Sequence, residues 1–109
     1  MIDGLWTVEF ISTVNRSGKG ILVLNNGRLL GGDEGYYYSG TYHVADAKIQ
    51  GTVDVVRFDP NTLSVFGDID HFTLSFSGDI NDYHLSAAAT ITDKPEFQIK
   101  VVANKKEDM

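Results

Sequence analysis

Apolar residues recur at every second position over almost the whole chain, and no stretch shows convincing helical periodicity. That alternation commits the chain to strands with one buried and one solvated face. Trp6, Val8 and Phe10 alternate with Thr7 and Glu9. Residues 18–25 form a second strand after the turn-rich Asn15-Arg16-Ser17-Gly18. Asn25-Asn26-Gly27 is the strongest hairpin signal, because Asn-Gly tolerates the positive φ of primed turns. Residues 28–32 then return antiparallel. Tyr36, Tyr38, Gly40, Tyr42 and Val44 share one side of the next strand, with Tyr37, Ser39, Thr41 and His43 on the other. A turn near Ala45-Asp46 leads into residues 48–58, where Ile49, Gly51, Val53 and Val55 share a face. Asp59-Pro60-Asn61-Thr62 breaks the pattern, and residues 61–68 read as a loop or a short helical turn.

Residues 67–75 repeat at 78–86 with a spacing of eleven, as Gly-Asp-Ile followed by alternation. This predicts Gly-Asp turns opening consecutive strands of a meander. Phe97, Ile99, Val101 and Ala103 face inward on the last strand. The barrel domain is thereby assigned to residues 1–104, and the charged residues 105–109 are expected to form a flexible tail. About eight antiparallel strands joined by short turns leave edges that closure removes. The expected fold is all-β: a single up-and-down antiparallel barrel, lipocalin-like, with an interior filled by side chains or one small ligand. Gly20, Gly40 and Gly51 fit the bends of barrel corners. A two-sheet sandwich competes, but nearest-neighbour connectivity favours the barrel.

The 109-residue chain carries nine Lys and Arg against fifteen Asp and Glu, for a formal charge of -6. That sign repels phosphate and disfavours direct nucleic-acid binding. The absence of cysteine excludes disulfides and thiolate chemistry. No apolar run has the ~18 residues of a membrane span and no signal-peptide pattern opens the chain, so a cytoplasmic protein without membrane association is expected.

Candidate chemistry is sparse. Gly31-Gly32-Asp33-Glu34-Gly35 resembles the start of the GGDEF signature of cyclic-dinucleotide synthesis, but no helices exist to complete such a site. It reads as a glycine-rich turn. His71 and His84, with Asp70 and Asp82, invite a metal test. Their repeat positions do not coincide, and alternation separates each histidine from its adjacent aspartate. No G-x-S-x-G elbow is present. Asp68 and Asp70 share a face if extended. No enzyme class gains support, and no metal or cofactor is assigned.

Two binding sites remain. Tyr37, outward beside Ser39 and Thr41, is a candidate protein contact. Small inward residues, Gly40, Gly51, Ala87 and Ala89, are candidates for leaving an interior void, with Trp6, Tyr38 and Val53 completing the lining of a small apolar ligand's site.

Residues 1–58 resemble the GrlR family, negative regulators of type III secretion gene expression in bacterial pathogens. The resemblance is carried by Asp3-Gly4-Leu5-Trp6, Phe10-Ile11-Ser12, Gly18-Lys19-Gly20-Ile21-Leu22, Asn26-Gly27, Gly31-Gly32-Asp33 and Tyr38-Ser39-Gly40. It implies an eight-stranded lipocalin-like barrel that forms homodimers and sequesters a transcriptional activator without binding DNA. It also implies partner contact through an acidic run between the fourth and fifth strands. Here that segment is Val44-Ala45-Asp46-Ala47-Lys48, with one carboxylate and one lysine. The expectation is therefore a non-enzymatic regulatory protein that binds a protein partner through Tyr37 and residues 44–47. The alternative is a carrier or sensor of a small apolar ligand.

Overall fold

Alternation sets the strands and left-handed turns set their order, as the computed structural model of residues 2–109 shows. The strands are β1 (Gly4–Ser12), β2 (Ser17–Asn25), β3 (Arg28–Gly32), β4 (Tyr36–Ala45), β5 (Lys48–Arg57), β6 (His71–Ile80), β7 (His84–Ile91) and β8 (Lys94–Asp108). Each pairs antiparallel with its successor, and β8 returns to β1. The result is one closed up-and-down barrel, compatible with a lipocalin-like architecture, and the described residues include no helix.

Two hairpins turn on residue pairs with positive φ: Asn26 (50°) with Gly27 (81°), and Asp46 (54°) with Ala47 (62°). Such pairs match the right-handed twist of the flanking strands. The second turn lies one residue later than expected.

The inward positions form one core. Trp6 and Val8, Leu22 and Leu24, Tyr36 and Tyr38, Val53 and Val55, Phe72 and Leu74, Ala87 and Ala89, and Ile99 and Ala103 are all buried. A side chain fully removed from water in this way contributes about 1.5–3 kcal/mol when it is of Val, Leu or Phe size.

Two expectations need correction. Residues 105–108 are not a tail. They complete β8, in register as Gly4↔Asp108, Leu5↔Glu107 and Trp6↔Lys105, with a bulge between Leu5 and Trp6. The physical reason is that the start of β1 would otherwise expose an unpaired ladder. The Lys105 side chain is only 4% exposed, with its ammonium 2.6 Å from Asp108.

The Gly78-Asp79-Ile80 copy of the repeat opens no turn. It stays in β6, held by Ile49↔Gly78 and Lys48↔Asp79 on one side and Gly78↔Ala87 on the other. The turn comes at Asn81, whose side-chain oxygen accepts the backbone N–H of Tyr83 and of His84, each at 2.9 Å. Of the two readings for residues 61–68, a loop or a short helical turn, the loop holds: residues 58–70 contain no helical turn and are pinned at an isolated bridge between Ser64 and Gly67.

Candidate functional site

The interior is incompletely filled. A cavity of about 190 Å³ runs between Leu22, Tyr38, Val53, Phe72, Ala87 and Ala89, and reaches one end of the barrel among residues 17–19, 33–34 and 62–66. There β3 stops at Gly32, opposite Ile21, so residues 17–20 of β2 have no β3 partner. The gap in the wall becomes the cavity mouth.

Of the expected lining residues, Tyr38, Val53, Ala87 and Ala89 face the cavity, whereas Trp6, Gly40 and Gly51 do not. Trp6 is fully buried and its indole N–H donates to the Ile2 carbonyl at 2.9 Å, so it belongs to the packed part of the core. At Gly40 a Cβ would collide with the Thr52 carbonyl, and at Gly51 with the Thr41 carbonyl and the Phe76 ring. These glycines permit close strand approach and open no void.

Sequence reasoning allowed a loop over residues 61–68 but missed that it covers this end. Residues 58–70 cross the mouth as a strap. Val65 and Phe66 pack against the core, and the Phe66 ring meets Phe72 and Phe97 edge-on at 5.6 and 5.7 Å. The signal was an apolar pair, Val65-Phe66, inside an otherwise irregular segment.

Three side chains of the wall tie the strap down. Ser12 Oγ donates to the Val65 carbonyl at 2.7 Å, and the Tyr36 hydroxyl to the Ile69 carbonyl at 2.5 Å. Arg57 Nη1 donates to the Thr62 carbonyl at 2.9 Å, while Nη2 reaches Asp68 at 2.7 Å and Asp70 at 2.5 Å. The carboxylates that share a face in the sequence therefore converge on one guanidinium. The hydrogen bonds Arg57 donates to Asp68, then to Asp70, raise its pKa further.

The glycine-rich segment 31–35 is a turn built on Asp33. One carboxylate oxygen accepts the N–H groups of Gly35 and Tyr36, each at 2.9 Å, and the other accepts the Tyr38 hydroxyl. Burial, and then the Asp33 carboxylate, push the Tyr38 pKa above the usual phenol value.

His71 and His84 lie at opposite barrel ends, at the starts of β6 and β7. His71 stands 3.8 Å from Asp54, and His84 Nδ1 lies 2.9 Å from Asn104 Oδ1. Among the described residues no three His, Asp or Glu side chains group around a metal position.

The expected partner contact divides. Tyr37 is outward and 48% exposed at the start of β4, but Val44 packs inward against the core. Ala45, Asp46 and Ala47 are exposed at the far end of the strand, roughly 20 Å or more from Tyr37 at ~3.3 Å per residue. Tyr37 instead joins an apolar band on the outer wall. One registered row runs Thr7–Ile21–Gly32–Tyr37–Val56, and the next Leu5–Val23–Leu30–Ser39. Ile21 and Leu30 are each 44% exposed. Polar rows flank the band, Glu9–Lys19 on one side and Asn25–Arg28–Thr41–Thr52 on the other. Apolar side chains at consecutive outward positions break the alternation that governs the rest of the wall.

The chain is thus an eight-stranded up-and-down barrel with a hollow interior and one apolar outer face. No protein-family model matches it, and no curated protein is detectably similar.

Proposed function

We propose that the protein is a non-enzymatic binding module of the cytoplasm that captures a regulatory protein on its outer apolar band. The observation that carries this reading is the pair of registered rows through Ile21, Leu30 and Tyr37, apolar at the centre and polar at the rim. The resemblance of residues 1–58 to the GrlR family makes a transcriptional activator of type III secretion genes the partner of choice. The net charge of -6 is consistent with action on a protein and not on DNA.

The same band suits a homodimer, since a two-fold axis sets one face against its copy. Affinity capture from the source cells at physiological salt tests the partner, with Leu30→Asp as control. The wild-type chain retains a partner that the variant releases. Equal capture by both proteins, with the variant's barrel intact by circular dichroism, removes the band from consideration. Sedimentation tests the dimer, and a single 12.0 kDa species across micromolar concentrations refutes it.

A second reading, favoured by the cavity, makes the chain a carrier or sensor of a small apolar ligand. Native mass spectrometry of freshly purified protein is the check, and a bound mass of a few hundred daltons or less is expected. Purely apo protein that also takes up no added apolar compound counts against it.

A further inference from the structure

The interior leaves a guest no unpartnered side-chain polar atom. Among the described residues every buried side-chain nitrogen and oxygen is already bonded within the protein. Among the hydroxyls lining the cavity, Tyr36 donates to the Ile69 carbonyl, Tyr38 to Asp33, Thr62 to Asp59 and Ser64 to the Gly67 carbonyl. A polar group carried inside would surrender its water for at best a hydroxyl whose proton is already engaged, so the lining favours an apolar guest.

The mouth adds a condition of charge. Asp33 and Glu34 frame it. Among the described residues lining the cavity the basic side chain is Lys19, 83% exposed with its ammonium directed to Glu9 at 3.8 Å on the outer wall. The Arg57 guanidinium, behind the strap at Thr62, is already paired with Asp68 and Asp70. An anionic head group therefore meets two carboxylates at the mouth and no unpaired cation, and their like charge opposes its entry. Volume sets the third condition. A dry apolar cavity of ~150 Å³ holds a benzene ring, so about 190 Å³ admits one or two fused rings and not a long acyl chain.

The geometry points to a site for a compact apolar molecule of about ten carbon atoms, neutral or cationic at the end facing Asp33 and Glu34. This inference rests on the second reading above and narrows it to a ligand class.

Three probes that share a naphthalene ring test it: 2-naphthylmethanol, 2-naphthylmethylammonium and 2-naphthoate. Each is titrated at pH 7 and low salt into the isotope-labelled full chain, with amide shifts followed by NMR. The alcohol and the ammonium should shift the amides of Val53, Ala87 and Ala89, and 2-naphthoate should bind about tenfold more weakly. Glu34→Lys, an exposed change, should restore most of the naphthoate affinity. Equal interior binding by all three probes overturns the charge selection but leaves an interior site standing. No interior shifts with any probe overturns both. Shifts confined to Ile21, Leu30 and Tyr37 place the probes on the outer band and also overturn the inference.

Discussion

Ala47 holds a left-handed backbone, φ 62°, at a hairpin position where its neighbour Asp46 does the same. A Cβ in that region costs about 1–2 kcal/mol, against the ~0.5–1 kcal/mol that glycine loses through greater freedom in the unfolded chain. Ala47→Gly should therefore stabilise the barrel by about 0.5 kcal/mol, measured as a raised urea midpoint at unchanged slope. Tyr38 carries a second prediction. Its pKa is raised above 10 by burial and then by Asp33, so the unfolded chain loses the phenol proton near pH 10 while the folded chain keeps it. Stability is complete below that pH and falls as pH rises, by about 1.4 kcal/mol per unit for this one group. Tyr38→Phe should lose about 2 kcal/mol at pH 7, where the hydroxyl bonds a carboxylate, yet decline more gently above pH 10. Parallel denaturation curves for the two proteins at pH 7, 9 and 10.5 would contradict this assignment.

Among the elements, the strands were legible and the strap was not. A period of two reports which residues face inward, because Cβ atoms alternate across any strand whatever it pairs with. The inward set Ile49, Val53 and Val55 is readable on those grounds alone. The strap depends on contacts that no local pattern encodes. Arg57 reads as one residue near the end of a strand over 48–58, but its role is set by Asp68 and Asp70, eleven and thirteen positions away. The cavity lining was half legible for a related reason. Small inward residues mark a void at Ala87 and Ala89, but at Gly40 and Gly51 the neighbouring backbone moves in and occupies the space. Arg57→Gln should free the strap while sparing the barrel. Amide exchange across residues 58–70 should accelerate at least severalfold, with β1 and β8 unchanged. Unaltered exchange there would show that Ser12, Tyr36 and Phe66 suffice to hold it.

For the molecule as a whole, the seam between β1 and β8 decides closure. Charged residues 105–109 resemble a solvated tail in composition, and only the demand of β1 for a partner draws them into the ladder. Removing residues 105–109 should cost about 2–3 kcal/mol, from roughly three lost backbone hydrogen bonds. A tail without structure would leave the thermal midpoint where it was. Asp108 sharpens the test, since its hydrogen bond to Lys105 lowers its pKa below the usual 3.8. That contribution is present above the unfolded value and is lost as pH falls through the lowered one. The end of β8 should therefore fray first in acid, visible as loss of amide protection at residues 105–108.

Placing the closing ladder between the first and the eighth strand also has a price during synthesis. A nascent chain that has emerged only as far as β7 carries two raw margins, one on β1 and one on β7, each able to recruit a strand from another polypeptide. Until its final ribbon arrives, the protein is safest when neighbouring copies are few.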